Sequence, residues 1–360
     1  MIQLGDICTK ASSNIAQKDL EDCDGVYPIY GASGLIKYID FYQQPNPYVA
    51  VVKDGAGVGR IMLLPAKSSV IGTMQYILPN KGTNVAYLAY AMEHMGLAKY
   101  YTGATIPHIY FKDYCKELLR EHCESEQQEI AAVLDKLTGL ISLRKQQLAK
   151  LDELVKSRFV EMFGDPTINS LGWPVRKFKD ISIVITDGEH ITPRRKENGI
   201  YLLSARNILN HMLNLDNVDY IDNDEYNRIA RRIIPQKGDV LISCSGSIGR
   251  CCVVPDRLKF QMVRSVALVR FNSNINPIFA EWLIVSDELQ RQISNSATQS
   301  SQANLFQGKI RELRGYVPPK DLQDLFAAFV SQVNESKSKI LKALAQLATL
   351  KKSLMQQYFI

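Results

Sequence analysis

Residues 125–163, SEQQEIAAVLDKLTGLISLRKQQLAKLDELVKSRFVEMF, contain no proline and one glycine, and their apolar side chains recur at helical spacing. Leu134, Ile141, Leu148, Val155 and Met162 form one seven-residue column. Ile130, Leu137 and Leu151 form a second, interrupted by Arg144 and Arg158. The pattern predicts a long amphipathic helix with a coiled-coil seam. Ser125 followed by Gln128 predicts a capping box at its start, and Gly164-Asp165-Pro166 predicts a stop at its end. About 40 residues at 1.5 Å each make a rod of roughly 60 Å. A rod with one apolar seam needs a partner in water.

The chain supplies that partner itself. Residues 322–360 repeat the pattern at a constant offset: Phe326, Val333, Ile340, Leu347 and Leu354 correspond to Ile130, Leu137, Arg144, Leu151 and Arg158, and Phe359 corresponds to Phe163. Lys337 and Lys351 interrupt the other column of this second helix, and Asp321, after Pro318-Pro319, is its expected N-cap. The segments before each helix repeat too. Leu4-Gly5-Asp6-Ile7 corresponds to Phe178-Lys179-Asp180-Ile181, Val26-Tyr27 to Ile200-Tyr201, Gly59-Arg60 to Gly249-Arg250, and residues 102–109 to 298–305. Within the first of them, residues 48–52 and 60–64 read as strands, 85–95 as a short helix and 101–108 as a polar loop.

A repeat of this length fixes the architecture before any local detail does. The predicted fold class is α+β: two mixed α/β recognition domains separated by two long antiparallel helices that form a coiled coil, with a pseudo-twofold internal repeat. The expected segments are a first head at 1–121, a first helix at 122–164, a second head at 165–318 and a second helix at 319–360. One chain would thus imitate a symmetric dimer.

Composition excludes more than it identifies. Hydrophobic content is 46% and formal net charge +6, a mildly basic globular chain that permits a polyanionic partner without demanding one. Seven cysteines are scattered without a CxxC pair, which argues against a disulfide framework or a zinc site. No metal and no cofactor is expected. The absence of a secretory start or a long apolar run predicts a cytoplasmic protein with no membrane partner. Catalytic motifs are missing as well. The Gly-rich stretch 55–60 is not a P-loop, and Asn46-Pro47-Tyr48 lacks the second proline of an amino-methyltransferase tetrad. His190 has Asp187 and Glu189 nearby, but no nucleophile accompanies them.

Two similar heads at fixed spacing suit a bipartite polymer, and half-sites on duplex DNA are the familiar case. The candidate DNA contacts in the first head are Lys53, Arg60, Thr102, Thr105 and His108. In the second they are His190, Arg194, Arg195, Arg206, Asn207, Arg250, Gln299, Gln302 and Asn304. Arginine favours guanine edges, Asn and Gln favour adenine edges, and the cations also neutralise phosphate. Any one of these is equally what a solvated surface offers, so the weight lies in the recurrence of polar loops in both heads. Arg144, Arg158, Lys337 and Lys351 either face solvent or mark where another subunit packs on the helices.

Several stretches also carry a family likeness. YPIYGASGLIKYID (residues 27–40), VVKDGAGVGR (51–60), SRFVEMFGDP (157–166), TDGEHITP (186–193) and GDVLISCSGSIGR (238–250), on the doubled head-and-helix plan, resemble the specificity subunit of type I restriction-modification systems. The resemblance covers essentially the whole chain, although the first head is smaller than the second. It implies two target recognition domains, helices that act as spacers, and no catalysis in this subunit. The implied partners are double-stranded DNA, two methyltransferase subunits that modify adenine at N6, and two restriction subunits that translocate and cut. The competing readings are a stand-alone nuclease or methyltransferase, and a coiled-coil scaffold whose heads bind polypeptides without DNA specificity.

Overall fold

A computed structural model describes residues 1–21, 23–103, 107–296 and 304–360. The chain divides into two compact units, one made of Met1–Gln147 with Ile340–Ile360 and the other of Leu148–Lys339. Each unit therefore combines one head with part of both long helices.

In the first unit, a four-stranded antiparallel sheet runs in the order Cys8–Ser12, Met74–Pro79, Tyr48–Val52, Ile61–Leu64. All five residues of Tyr48–Val52 are buried, so both faces of this strand need cover. Alternation sends Val49 and Val51 to one side, into a core shared with Tyr87, Leu88 and Met92 of helix Val85–Met95. Tyr48, Ala50 and Val52 go to the other side, against Val70, Met74 and Tyr76. A second sheet sets Tyr27–Gly31 between Gly34–Ile39, to which it is antiparallel, and Ser69–Val70, to which it is parallel.

The second unit repeats this plan strand for strand. Its four-stranded sheet is ordered Ser182–Asp187, Val266–Phe271, Val240–Ser243, Cys251–Val253. Its three-stranded sheet sets Ile200–Leu203 between antiparallel Asp219–Ile221 and parallel Phe260–Met262. Helices Leu4–Ile7 and Phe178–Ile181, matched in the sequence, each lead into the first strand of their four-stranded sheet.

The repeat extends to individual hydrogen bonds. Gly59 N–H donates to the Val52 carbonyl at 2.8 Å, and Gly249 N–H to the Ser243 carbonyl at 2.9 Å. Both glycines have positive φ, 82° and 81°, and a Cβ on Gly59 would lie 2.4 Å from the Ala98 nitrogen, so the turn requires glycine. Arg60, expected to begin a strand, belongs to this turn, and the strand starts at Ile61.

The long helices are Glu124–Phe163 and Lys320–Phe359. The first begins two residues earlier than a Ser125 N-cap with Gln128 at N3 predicts. The Cys123 N–H donates to the Glu126 carboxylate at 2.8 Å, so the cap sits at Cys123 and Glu126 takes the role expected of Gln128 toward Ser125. In the second, Asp321 is not the N-cap but lies in the first turn, where a carboxylate faces the positive end of the helix dipole. The first helix ends as expected at Gly164, φ 77°, whose N–H returns to the Val160 carbonyl at 2.8 Å.

Each helix start is tied to its head by a buried glutamine. Gln127 Oε1 accepts from the Asn84 N–H at 3.0 Å, and Gln323 Oε1 from the Asn276 N–H at 2.8 Å. Their amide groups donate back to the His122 and Pro318 carbonyls at 3.0 and 2.8 Å. Asn84 and Asn276 are themselves the N-caps of the two head helices, Val85–Met95 and Pro277–Ile284.

Burial along the seam is graded. In the first unit Ile130, Leu134 and Leu137 share a core with Met355 and Phe359, so the start of one helix lies with the end of the other. In the second unit Val155, Phe159 and Phe163 join Phe326, Val330 and Val333. Ile141, Leu148 and Leu151 are only half-buried.

Candidate nucleic-acid interface

In the first head the Gly-turn loop and the late polar loop are stitched together. The Ile109 N–H donates to the Lys53 carbonyl at 3.0 Å, and Gly55 N–H to the Pro107 carbonyl at 3.0 Å. This brings Lys53, Thr102 and His108 into one cluster: Thr102 and His108 pair through their backbones, and the His108 imidazole meets the Asp54 carboxylate. Lys53 Nζ lies 3.8 Å from the same carboxylate. The exposed Tyr110 ring lies 4.2 Å from the His108 ring. Arg60 reaches elsewhere, donating to the Ala32 carbonyl at 2.6 Å.

The second head makes the corresponding stitch, with Leu305 N–H on the Cys244 carbonyl at 2.9 Å and a bridge between Ser245 and Asn304. A cleft of about 400 Å³ opens there, lined among others by Asp187, His190, Ser245, Arg264, Asn304 and Gln307. Thr105, Gln299 and Gln302 lie outside the described residues.

Further along the second head, nearly every expected cation already holds a carboxylate. Arg194 Nε lies 3.3 Å from Glu225, which also takes Arg228 at 2.8 Å. Glu225 is 2% exposed, and the hydrogen-bonded Arg228 guanidinium holds its carboxyl down to about 2. Arg195 Nε donates to Asp219 Oδ2 at 3.0 Å, while Arg206 Nη2 lies 2.8 Å from Asp219 Oδ1. His190 Nε2 lies 2.9 Å from Asp187, which Arg232 also contacts. The Arg250 guanidinium, by contrast, has no hydrogen-bond or ion-pair partner among the described residues, while its backbone N–H donates to Ser243 Oγ at 3.0 Å.

Asn207, expected among the base contacts, is 1% exposed. Its Oδ1 accepts from the Ser204 N–H at 2.9 Å, and its Nδ2 donates to the Asn214 carbonyl at 3.0 Å. Short amide side chains bond readily to nearby backbone, and here that use braces a turn beneath the surface. Asp187 and Glu189 stand out in the sequence only through their nearness to His190, and Asp219 and Glu225 do not stand out at all. Asp187, Asp219 and Glu225 organise the cluster, yet nothing in an isolated Asp or Glu in a loop distinguishes such a role.

The seam cations are engaged within their own units. Lys351 binds Glu93 at 3.0 Å and lies over the Tyr90 ring at 5.1 Å. Lys337 pairs with Asp152. Arg158 reaches Glu161 at 2.9 Å and the Phe329 ring at 5.9 Å, and Arg144 donates to Gln147 at 2.8 Å. Each thus has a polar or aromatic partner close to the helices.

Burial pushes the Cys8 and Cys244 thiols up to about 12, so neither is a nucleophilic thiolate near neutral pH. Among the described residues no group of three His, Cys, Asp or Glu side chains could hold a metal ion, and no helix is long and apolar enough to cross a membrane.

A doubled mixed α/β head on long helices, with a polar loop stitched to a Gly-containing turn in each copy, defines the class. The chain belongs to the family described as the type I restriction modification DNA specificity domain, which matches residues 1–153 and 171–350. Its role in such a system is DNA specificity, the function for which the family is defined. No match is found among curated protein sequences. Among solved structures, the chain is similar to the S subunit of a type I restriction-modification system from M. genitalium. The two share 14% identity over 100% of this chain and 95% of that one, with a TM-score of 0.65. A second similar structure is described as the structural basis underlying complex assembly and conformational transition of the type I R-M system. It has 14% identity, coverage of 99% and 96%, and a TM-score of 0.55. At that identity the likeness establishes the fold.

Proposed function

We propose that the chain recognises an asymmetric bipartite duplex DNA target, one half-site per head, and positions adenine-N6 methyltransferase and restriction subunits on it. In this reading residues 1–121 and 165–318 are the target recognition domains. The helices at 122–164 and 319–360 are antiparallel coiled-coil spacers that set the distance between half-sites. The observation that carries it is the repetition of one sheet topology and one loop-to-loop stitch with different side chains on each copy. A duplicated framework with divergent surfaces is what two different half-sites require.

Lys53, His108, Arg194, Arg195, Arg206 and Arg250 are the proposed DNA contacts. The methyltransferase subunits dock on the helices, where Leu140, Leu143 and Leu350 in the first unit and Leu154, Val160 and Leu325 in the second are large, apolar and exposed. The reaction chemistry and its S-adenosylmethionine belong to those partners, and the subunit itself is non-catalytic and cytoplasmic.

Enrichment from a random duplex pool by the full chain, co-purified with a methyltransferase subunit, tests the reading. Two short motifs at constant separation are expected. Affinity should fall about 10³-fold or more between 50 and 200 mM salt if six or more phosphates are contacted. Binding that ignores both sequence and salt would favour a scaffold for polypeptides instead.

A further inference from the structure

In the second head, Arg195 and Arg206 share one carboxylate, as Arg194 and Arg228 share Glu225, but here both partners of the carboxylate are arginines at least half-exposed. They come from separate segments, a loop and the short turn Ala205–Asn207, and converge on the single carboxylate of Asp219, which opens strand Asp219–Ile221. Arg195 donates through Nε, which leaves both terminal Nη groups unengaged by that contact. Arg206 approaches through Nη2. Both arginine side chains remain half-exposed, at 51% and 55%, while the aspartate between them is at 27%. Backbone pairing of Lys196 with Tyr220 holds the Arg195 loop against the same strand at 2.8 Å.

We infer that Asp219 is a specificity-determining positioning residue: it holds Arg195 and Arg206 as a pre-set donor pair that reads a guanine edge in one half-site. This rests on the reading of the heads as DNA-recognition domains.

Two physical arguments favour a base edge over a phosphate. A guanidinium fixed by an anion loses little rotamer entropy when it binds, and its remaining donors sit in the fork that matches guanine O6 and N7. The carboxylate meanwhile offsets half of the pair's positive charge and repels an approaching phosphate, so the cluster is a poor generic anion clamp. A neutral base edge with two acceptors suffers no such repulsion. Arg250, with no carboxylate partner among the described residues, lacks this device and suits a phosphate.

The two roles predict opposite responses to removal of the charge. Asp219→Asn in the full chain, co-purified with a methyltransferase subunit, should relax one or two base pairs of one half-site. Preference for guanine there should fall roughly 5- to 150-fold. The other half-site should be unchanged, and affinity for non-specific duplex should hold or rise because a negative charge has gone. Arg195→Lys, which keeps charge and removes the fork, should relax the same position, and combining it with Asp219→Asn should add little.

An Asp219→Asn variant whose enriched motif matches the wild type at every base pair would overturn the inference while leaving the specificity reading intact. Equal loss on specific and non-specific duplex would reduce Asp219 to a structural brace. A wild-type chain that enriches no sequence would instead defeat the underlying reading, and the inference with it.

Discussion

Replacing Phe163 by alanine is expected to destabilise the second unit by about 3–5 kcal/mol, the range for truncating a buried aromatic side chain. Phe163 is fully buried at the end of the first long helix. Its ring lies 5.0 Å from Phe159, 4.8 Å from Phe279 and 5.4 Å from Phe326, so one side chain joins both long helices to the head helix Pro277–Ile284. The neighbouring rings are poorly placed to refill the space, because Phe159 already packs against both Phe279 and Phe326. Both tryptophans of the chain, Trp173 and Trp282, lie in this unit, and the Trp173 indole donates to the Phe163 carbonyl at 3.0 Å. Denaturant titration followed by tryptophan fluorescence therefore reads the affected unit directly. A loss below about 1 kcal/mol would mean that the four rings do not form a close-packed cluster.

The next largest effect is expected at Glu225. Truncation to alanine leaves Arg194 and Arg228 without their buried carboxylate, at a cost of about 2–3 kcal/mol once the exposure of the two arginines is allowed for. The same group sets an acid limit. Its carboxyl is held down to about 2 in the folded chain, against roughly 4.3 in an unfolded one. A depressed carboxylate contributes stability that is present above the unfolded value and is lost as pH falls through the folded value. Stability should decline between about pH 4.5 and 2, and Glu225→Gln should flatten the decline in that window. Equal slopes for the wild type and Glu225→Gln would show that the carboxylate is not selectively stabilised by folding.

Much of this fold was legible because its largest feature is periodic and occurs twice. Heptad spacing located both helices to within a residue or two, and of the matched pairs Leu4 and Phe178 open equivalent helices while Gly59 and Gly249 sit in equivalent turns. Where local competition decided, the reading slipped. The first helix is capped at Cys123 through Glu126 rather than at Ser125 through Gln128, and the second helix begins at Lys320, before Asp321. The surface was less legible still. Basic residues in loops advertise a polyanion, but Asn207 turned inward to brace its own turn, and the acids that hold Arg194, Arg195 and Arg206 carry no local signature. Which cations are braced and which are unpaired depends on loops that meet only in the folded head.

The most direct test of the proposed specificity is a map of methylated adenines in DNA from cells that carry a partner methyltransferase subunit, with and without this chain. A bipartite motif of two short half-sites at constant spacing, present only with the chain, is the expected result. No chain-dependent methylation, with the methyltransferase folded and bound to the chain, would contradict it and favour a protein-binding scaffold.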